Sequence, residues 1–167
     1  MKLNLGCGNS YMKGWVNADF NKLVKADIYF DAERQEFPFP DNHFDEIYAD
    51  NVFEHFDKPE KVFEECHRVL KDGGVLDLIV PYYNCWTNFG DVTHRTSYSE
   101  LSFNYFVKDA FMTKKFGFQV GTRKFSSVEI EFYYSMLGKF LRFLIPTHKF
   151  CHYLPNTVVA MRVKMKK

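Results

Sequence analysis

Apolar positions in the first half of the chain fall in short runs, and each run ends in glycine, an acid or proline. Leu3-Asn4-Leu5 runs into Gly6-Cys7-Gly8, Gly14–Asp19 closes on Asp19, and Asp27–Asp31 closes on Asp31. Phe44–Ala49 leads into Asp50-Asn51, and Val75–Val80 is stopped by Pro81. Short apolar runs bounded by turn formers read as buried strands. Between the fourth and fifth runs, Val62, Phe63, Cys66, Val69 and Leu70 share one helical face. Asp57 is the expected cap of that helix, with Pro59 in its first turn, Glu60 three residues after the cap, and Gly73-Gly74 as its stop. Ser97 and Glu100 form a capping-box pattern that predicts a second helix to about Phe116, stopped by Gly117. A strand is expected from Phe118 to about Phe132, with a bend at Ser126-Ser127, and a last one over Thr157–Val163. Met136, Leu137, Phe140, Leu141, Phe143 and Leu144 form a helix-spaced stripe closed by Pro146.

This alternation predicts an α/β fold: a Rossmann-like, doubly wound, mostly parallel sheet with an antiparallel pair at one edge. It forms a single domain over 1–167, with an aromatic helical insertion at about 133–153. One feature is unusual. The stretch between Gly8 and Gly14 is far shorter than the crossover of a dozen or more residues that joins parallel neighbours, so the first crossover helices are expected to be reduced to loops.

Composition narrows the partners. A net charge of +1 gives no field to draw nucleic acid to the surface. The four cysteines (Cys7, Cys66, Cys85, Cys151) contain no C-x-x-C pair, which argues against a zinc ribbon or disulfide framework and for a reducing compartment; no metal site is expected. The N-terminus runs straight into the glycine turn, so no signal peptide is expected. No uncharged apolar stretch approaches the roughly 20 residues that span a bilayer. The expectation is a cytoplasmic protein.

The strand ends carry the candidate chemistry. In an open parallel sheet they lie side by side, and ligands bind there. A carboxylate such as Asp19 accepts two hydrogen bonds at once, which suits the vicinal diol of a ribose. A second acid, Asp31, suits an exocyclic amine such as that of adenine. A glycine turn exposes backbone amides to the rest of the same ligand. Singly, these residues also serve as turn and cap residues; together they suggest a nucleoside-containing cofactor. Two carboxylates would repel a phosphate, and a dinucleotide fingerprint would want a third glycine where Tyr11 stands.

The motif order is more specific. L-N-L-G-C-G (Leu3–Gly8), G-W-V-N-x-D (Gly14–Asp19), P-F-P-D-x-x-F-D-E-I (within Phe37–Ile47), Glu54-His55 and E-x-x-R-V-L-K-x-G-G (Glu65–Gly74) follow one another, and Asp91-Val92-Thr93-His94-Arg95 resembles a D-x-T-H-R segment. Over roughly residues 3–106 the chain resembles the small class I S-adenosylmethionine-dependent methyltransferases. The resemblance implies that the Gly6-Cys7-Gly8 backbone meets the methionine part of the cofactor. It implies that Asp19 holds the ribose with Phe20 against the adenine, that Asp31 and the Ala32 amide take the adenine edge, and that the Asn51 carbonyl lies near the cofactor's amino group. Two features depart from the broader family: Asn4 stands where an acid is usual, and the early helices are missing.

The resemblance further implies methyl transfer to a small-molecule acceptor, with sugars and lipid-linked molecules as the associated class. His94 is the first candidate for a general base and His55 the second, because histidine titrates near neutrality; each also reads as a residue that ties down its loop. Tyr82, Tyr83 and Trp86 read equally as a substrate wall or as core. The Met136–Leu144 stripe, with Lys139 and Arg142 interleaved, reads as core, as a homodimer contact or as a peripheral membrane surface. An RNA or protein substrate is disfavoured by the charge and by Asp50-Asn51-Val52-Phe53 at the place of an Asn-Pro-Pro-Tyr-type tetrad. The alternative is a non-catalytic methyltransferase-like binding or oligomerisation partner.

Overall fold

A computed structural model describes residues 1–109, 111–116, 120–144 and 153–167. Seven strands form one sheet in the order β3-β2-β1-β4-β5-β7-β6. They are β1 Lys2–Leu5, β2 Val16–Asp19, β3 Ile28–Tyr29, β4 Phe44–Asp50, β5 Leu70–Pro81, β6 Ser127–Tyr134 and β7 Val158–Lys166. The first five are mutually parallel where they pair. β7 runs antiparallel to both β5 and β6, so the antiparallel edge is present. The helices are α1 Pro59–Val69, α2 Trp86–Gly90, α3 Phe111–Phe116 and α4 Met136–Leu144. No helix among the described residues is long and apolar enough to cross a membrane.

No helix lies between β1 and β4. Side chains hold the replacing loops. Asn4 Nδ2 donates to Ser10 O and to Asn17 Oδ1. Asn17 Oδ1 also accepts from the Met12 amide, and its Nδ2 reaches Met12 O, Trp15 O and Asp27 Oδ2. Asn4 and Asn17 are buried, so amides that offer both donors and acceptors do here what a helix's own backbone does elsewhere. The Asn17 hydrogen bonds hold the Asp27 carboxyl below the usual carboxylate range.

The core lies where α1 covers β4 and β5. Phe44, Ile47, Leu76 and Leu78 are fully buried beneath Val62, Phe63 and Cys66. Phe63 meets Phe53 at 4.8 Å and stacks on Phe106 at 4.0 Å between ring centroids. At the β5–β7 seam, Asp77 is only 2% exposed and takes two hydrogen bonds from Arg162: Nε to Oδ1 at 2.9 Å and Nη2 to Oδ2 at 2.7 Å.

Several expected boundaries differ. Asp57 does not cap α1. The flanking residue is Lys58, whose amide is taken by the Glu33 side chain from a distant loop. α1 ends at Val69 rather than at the glycine pair, because Leu70 already pairs with Phe44 and Gly73, at φ +77°, turns the chain within β5. The helix expected from Ser97 to Phe116 is broken. A 3-10 turn spans Ser102–Phe106, Val107 bridges to Phe125, Asp109 sits at φ +56°, and α3 follows. Ser97 Oγ accepts from Asn88 Nδ2 instead of capping a helix. The expected strand from Phe118 starts only at Ser127, and Gly117, Pro146 and Cys151 lie outside the described residues.

Candidate active site

The strand order sets the carboxyl ends of β3, β2, β1 and β4 side by side, each followed by a residue expected to hold ligand: Asp31, Asp19, Gly6-Cys7-Gly8 and Asn51. β1 is almost wholly inside the sheet, and its exit needs left-handed backbone at Gly6 (φ +66°) and Gly8 (φ +48°). A Cβ on Gly6 would stand 2.5 Å from Val52 Cγ2, whereas one on Gly8 would meet nothing within 4 Å. Gly6 therefore lets the loop close on the residue after Asn51, and Gly8 leaves open space for a ligand. Gly6→Ala is expected to lower stability by about 2 kcal/mol, from the left-handed φ and the clash. Denaturant unfolding checks it, and adding Val52→Ala recovers only the clash.

Asp19 is 7% exposed, and its two oxygens are already oriented. Oδ2 accepts from the Gly8 amide and Oδ1 from the Asn21 amide, each at 2.8 Å. Each oxygen keeps a further lone pair, one for each hydroxyl of a diol. Next to it Phe20 is 75% exposed, a large apolar ring with no protein cover. Asp31 Oδ1 is occupied by the Glu33 and Arg34 amides, while Oδ2 lies 3.5 Å from Arg34 Nε at the surface. Asn51 takes left-handed backbone (φ +53°), its amide fixed on Ile79 O and its side chain on Asp50. Burial, followed by the Asp19 charge, pushes the Cys7 thiol up, so it stays protonated.

Beyond Asn51 opens a cavity of about 520 Å³ whose wall includes Glu54, His55, Trp86, Thr87, Asp91 and His94. The turn Phe53–His55, α2 and the loop after it supply these residues. The His55 and His94 rings meet at 4.9 Å. His94 Nδ1 lies 3.1 Å from the Asn88 carbonyl, so Nδ1 carries the proton and Nε2 offers a lone pair. Nε2 lies 4.0 Å from Glu54 Oε1 and 3.8 Å from Asp91 Oδ2. Glu54 is fully buried, both its oxygens lack a hydrogen-bond partner, and burial pushes its carboxyl up to about 7. Hydrogen bonds from Thr93 hold Asp91 below the usual carboxylate range.

The cavity thus brings together His55, His94, Asn51 and Trp86. Tyr82 is in the core, 1% exposed, with its hydroxyl on Glu100, and Tyr83 is exposed beside it, off the cavity wall. Asn88, buried and holding Ser97 and the Tyr83 carbonyl, gave no signal in sequence. The Met136, Leu137, Phe140, Phe143 and Leu144 side chains of α4 are exposed. α4 sits against the start of β7: a Cβ on Gly138 would fall 2.1 Å from Thr157 O, and neighbouring Asn156 holds the Trp86 amide.

Residues 3–78 match the model of a family described as a methyltransferase domain. Over 66 residues the chain is 38% identical to the ubiquinone/menaquinone biosynthesis C-methyltransferase UbiE of Psychromonas ingrahamii, covering 38% of this chain and 26% of that protein. The chain thus spans about a quarter of that relative's length. In three dimensions 99% of the chain superposes on 85% of a SAM-dependent methyltransferase from Archaeoglobus fulgidus, with a TM-score of 0.69 at 16% identity. It also superposes on 48% of phosphoethanolamine N-methyltransferase 2 of Haemonchus contortus in complex with S-adenosyl-L-methionine, with a TM-score of 0.58 at 14% identity.

Proposed function

We propose, for a chain whose residues 3–78 match the model of a methyltransferase-domain family and whose fold is that of S-adenosylmethionine-dependent methyltransferases, that it moves a methyl group from S-adenosylmethionine to a small molecule held in the Glu54–His94 cavity. The observation that carries this reading is the Asp19 carboxylate, buried and pre-oriented by the Gly8 and Asn21 amides beside an uncovered aromatic ring. The donor set fits the cofactor: lone pairs for the ribose at Asp19, a stacking face at Phe20, an acceptor at Asp31, and open space at Gly8. Asn51, on the cavity wall, carries the glycine-loop side of the site into the acceptor side.

The bound cofactor would supply an already electrophilic methyl group. The chain's own work is then to orient the two reactants, and proximity supplies much of the rate. His94 Nε2 takes the proton of a hydroxyl or ammonium acceptor, with Asn88 fixing its tautomer. The exposed apolar face of α4, with Lys139 and Arg142 among its residues, adjoins this end of the molecule and supports an acceptor that is lipid-linked, or a site completed at a membrane surface or by a second copy. The competing reading, a binding partner without catalysis, draws on the exposure of Phe20 and Leu23, which no helix covers.

The test is release of S-adenosylhomocysteine with a panel of small hydroxyl and amine acceptors, sugars and lipid-linked sugars among them. We expect turnover with at least one, and a drop of about 100-fold in kcat for His94→Ala with cofactor affinity unchanged. Unchanged turnover in His94→Ala removes the base.

A further inference from the structure

We infer that Glu54, His55 and His94 form a binding site for one divalent transition-metal ion, of the class that zinc represents, in the wall of the acceptor cavity. One donor atom from each of the three lies within 4.8 Å of the others. Their preparation is chemical as well as spatial. His94 Nδ1 is committed to the Asn88 carbonyl. The Thr93 hydroxyl gives its proton to Asp91 Oδ1 at 2.6 Å, so at 3.0 Å it accepts from His55 Nδ1. Both rings therefore carry their proton on Nδ1 and leave the Nε2 lone pairs bare, which is how neighbouring acceptors orient metal-binding histidines.

Glu54 supplies the independent argument. None of its surface is accessible, and neither carboxylate oxygen takes a hydrogen bond from another described residue; the Glu54 backbone amide is the one group nearby that favours its charge. Burying an ionised carboxylate unpaired costs several kcal/mol. A neutral carboxylic acid would still carry an O–H donor with no acceptor at hydrogen-bond distance among the described residues, the His94 Nε2 lone pair lying 4.0 Å from Oε1. A cation between Glu54 and the two imidazoles removes both difficulties. Among the described residues no lysine or arginine lines the cavity to do so, and Asp91, 3.8 Å from His94 Nε2, adds further negative charge.

Two histidines and one carboxylate are a donor set for zinc, and for iron or manganese, with positions left open. Bonds of about 2.0–2.1 Å set such donors roughly 3.3 Å apart, so the side chains close by on the order of 1 Å. His55 is exposed, so its ring is the one with room to make that adjustment. An ion there would leave an open position for an acceptor's oxygen or nitrogen; His94 Nε2, once a ligand, would no longer act as the base, so its two roles belong to the metal-bound and metal-free protein respectively. Metal binding itself stands apart from the methyl-transfer reading and is measured without cofactor.

The experiment titrates the full chain with ZnCl2 and MnCl2 by calorimetry and records the Co2+ spectrum. The described cysteines, Cys7, Cys66 and Cys85, are buried, so a thiolate band is not expected. One saturable equivalent should bind, at least tenfold more weakly in Glu54→Gln and in His55→Ala. Absence of a saturable equivalent, a thiolate spectrum, or equal affinity in both variants overturns the site. If Glu54→Gln fails to fold, the surface variant His55→Ala decides alone. A melting shift with S-adenosylhomocysteine, run in parallel, reports on the cofactor site separately.

Discussion

Asp19→Ala is expected to weaken S-adenosylmethionine and S-adenosylhomocysteine binding about 1000-fold while leaving the chain folded. On the proposed reading the carboxylate offers a ribose one lone pair on each oxygen, and hydrogen bonds to a charged group contribute about 1.5–3 kcal/mol each. Two of them lost correspond to about 4 kcal/mol, three factors of ten in affinity. The substitution also removes the acceptor of the Gly8 and Asn21 amides, so the Gly6–Gly8 loop loses an anchor. That structural part is small, because both amides lie near the surface, and it is read separately as the melting temperature of the cofactor-free variant. Calorimetric titration gives the rest. Affinity within threefold of wild type would remove Asp19 from the site.

Arg162→Ala is the largest expected loss of stability. Asp77 sits in the middle of β5, 2% exposed, and its charge is met by the Arg162 guanidinium in two parallel hydrogen bonds. Removing one member of a buried pair leaves an uncompensated charge, which costs 3–5 kcal/mol in general. Arg162 is itself 34% exposed, and water that enters its place brings the expectation to the lower end, about 3 kcal/mol. In a chain of this length that is a fall of roughly 6–12 °C in Tm. Replacing both residues by leucine should recover most of the loss, since well-packed apolar pairs are as good as buried ion pairs. A loss below about 1 kcal/mol in Arg162→Ala would mean that Asp77 is satisfied by other means.

The strand ends that carry the candidate cofactor residues were legible in sequence because parallel strands write their ends plainly. An apolar run that stops on glycine, aspartate or asparagine names both the strand and the residue it presents, as at Leu5–Gly6, Asp19 and Asn51. What failed to show were features made by distant partners. Glu33 holds the Lys58 amide at the start of the helix that Asp57 was expected to cap, and Phe125 captures Val107 out of the helix. The network of Asn4, Asn17 and Asp27 explains the missing crossover helix and the asparagine in place of an acid, yet Asn17 reads in sequence as one more polar strand residue. The acceptor side was half legible. His55 and His94 stood out as residue types, but only the fold shows that they meet, that Glu54 lies unpartnered beside them, and that Tyr82 is core.

The central claim is that the ends of β1 to β4 bind S-adenosylmethionine. Thermal unfolding of the wild-type chain with and without S-adenosylhomocysteine tests it most directly. Ligand at 100-fold its dissociation constant should add about 2.7 kcal/mol of stability, and the shift should vanish in Asp19→Ala. No shift in the wild-type chain at millimolar ligand would contradict the claim.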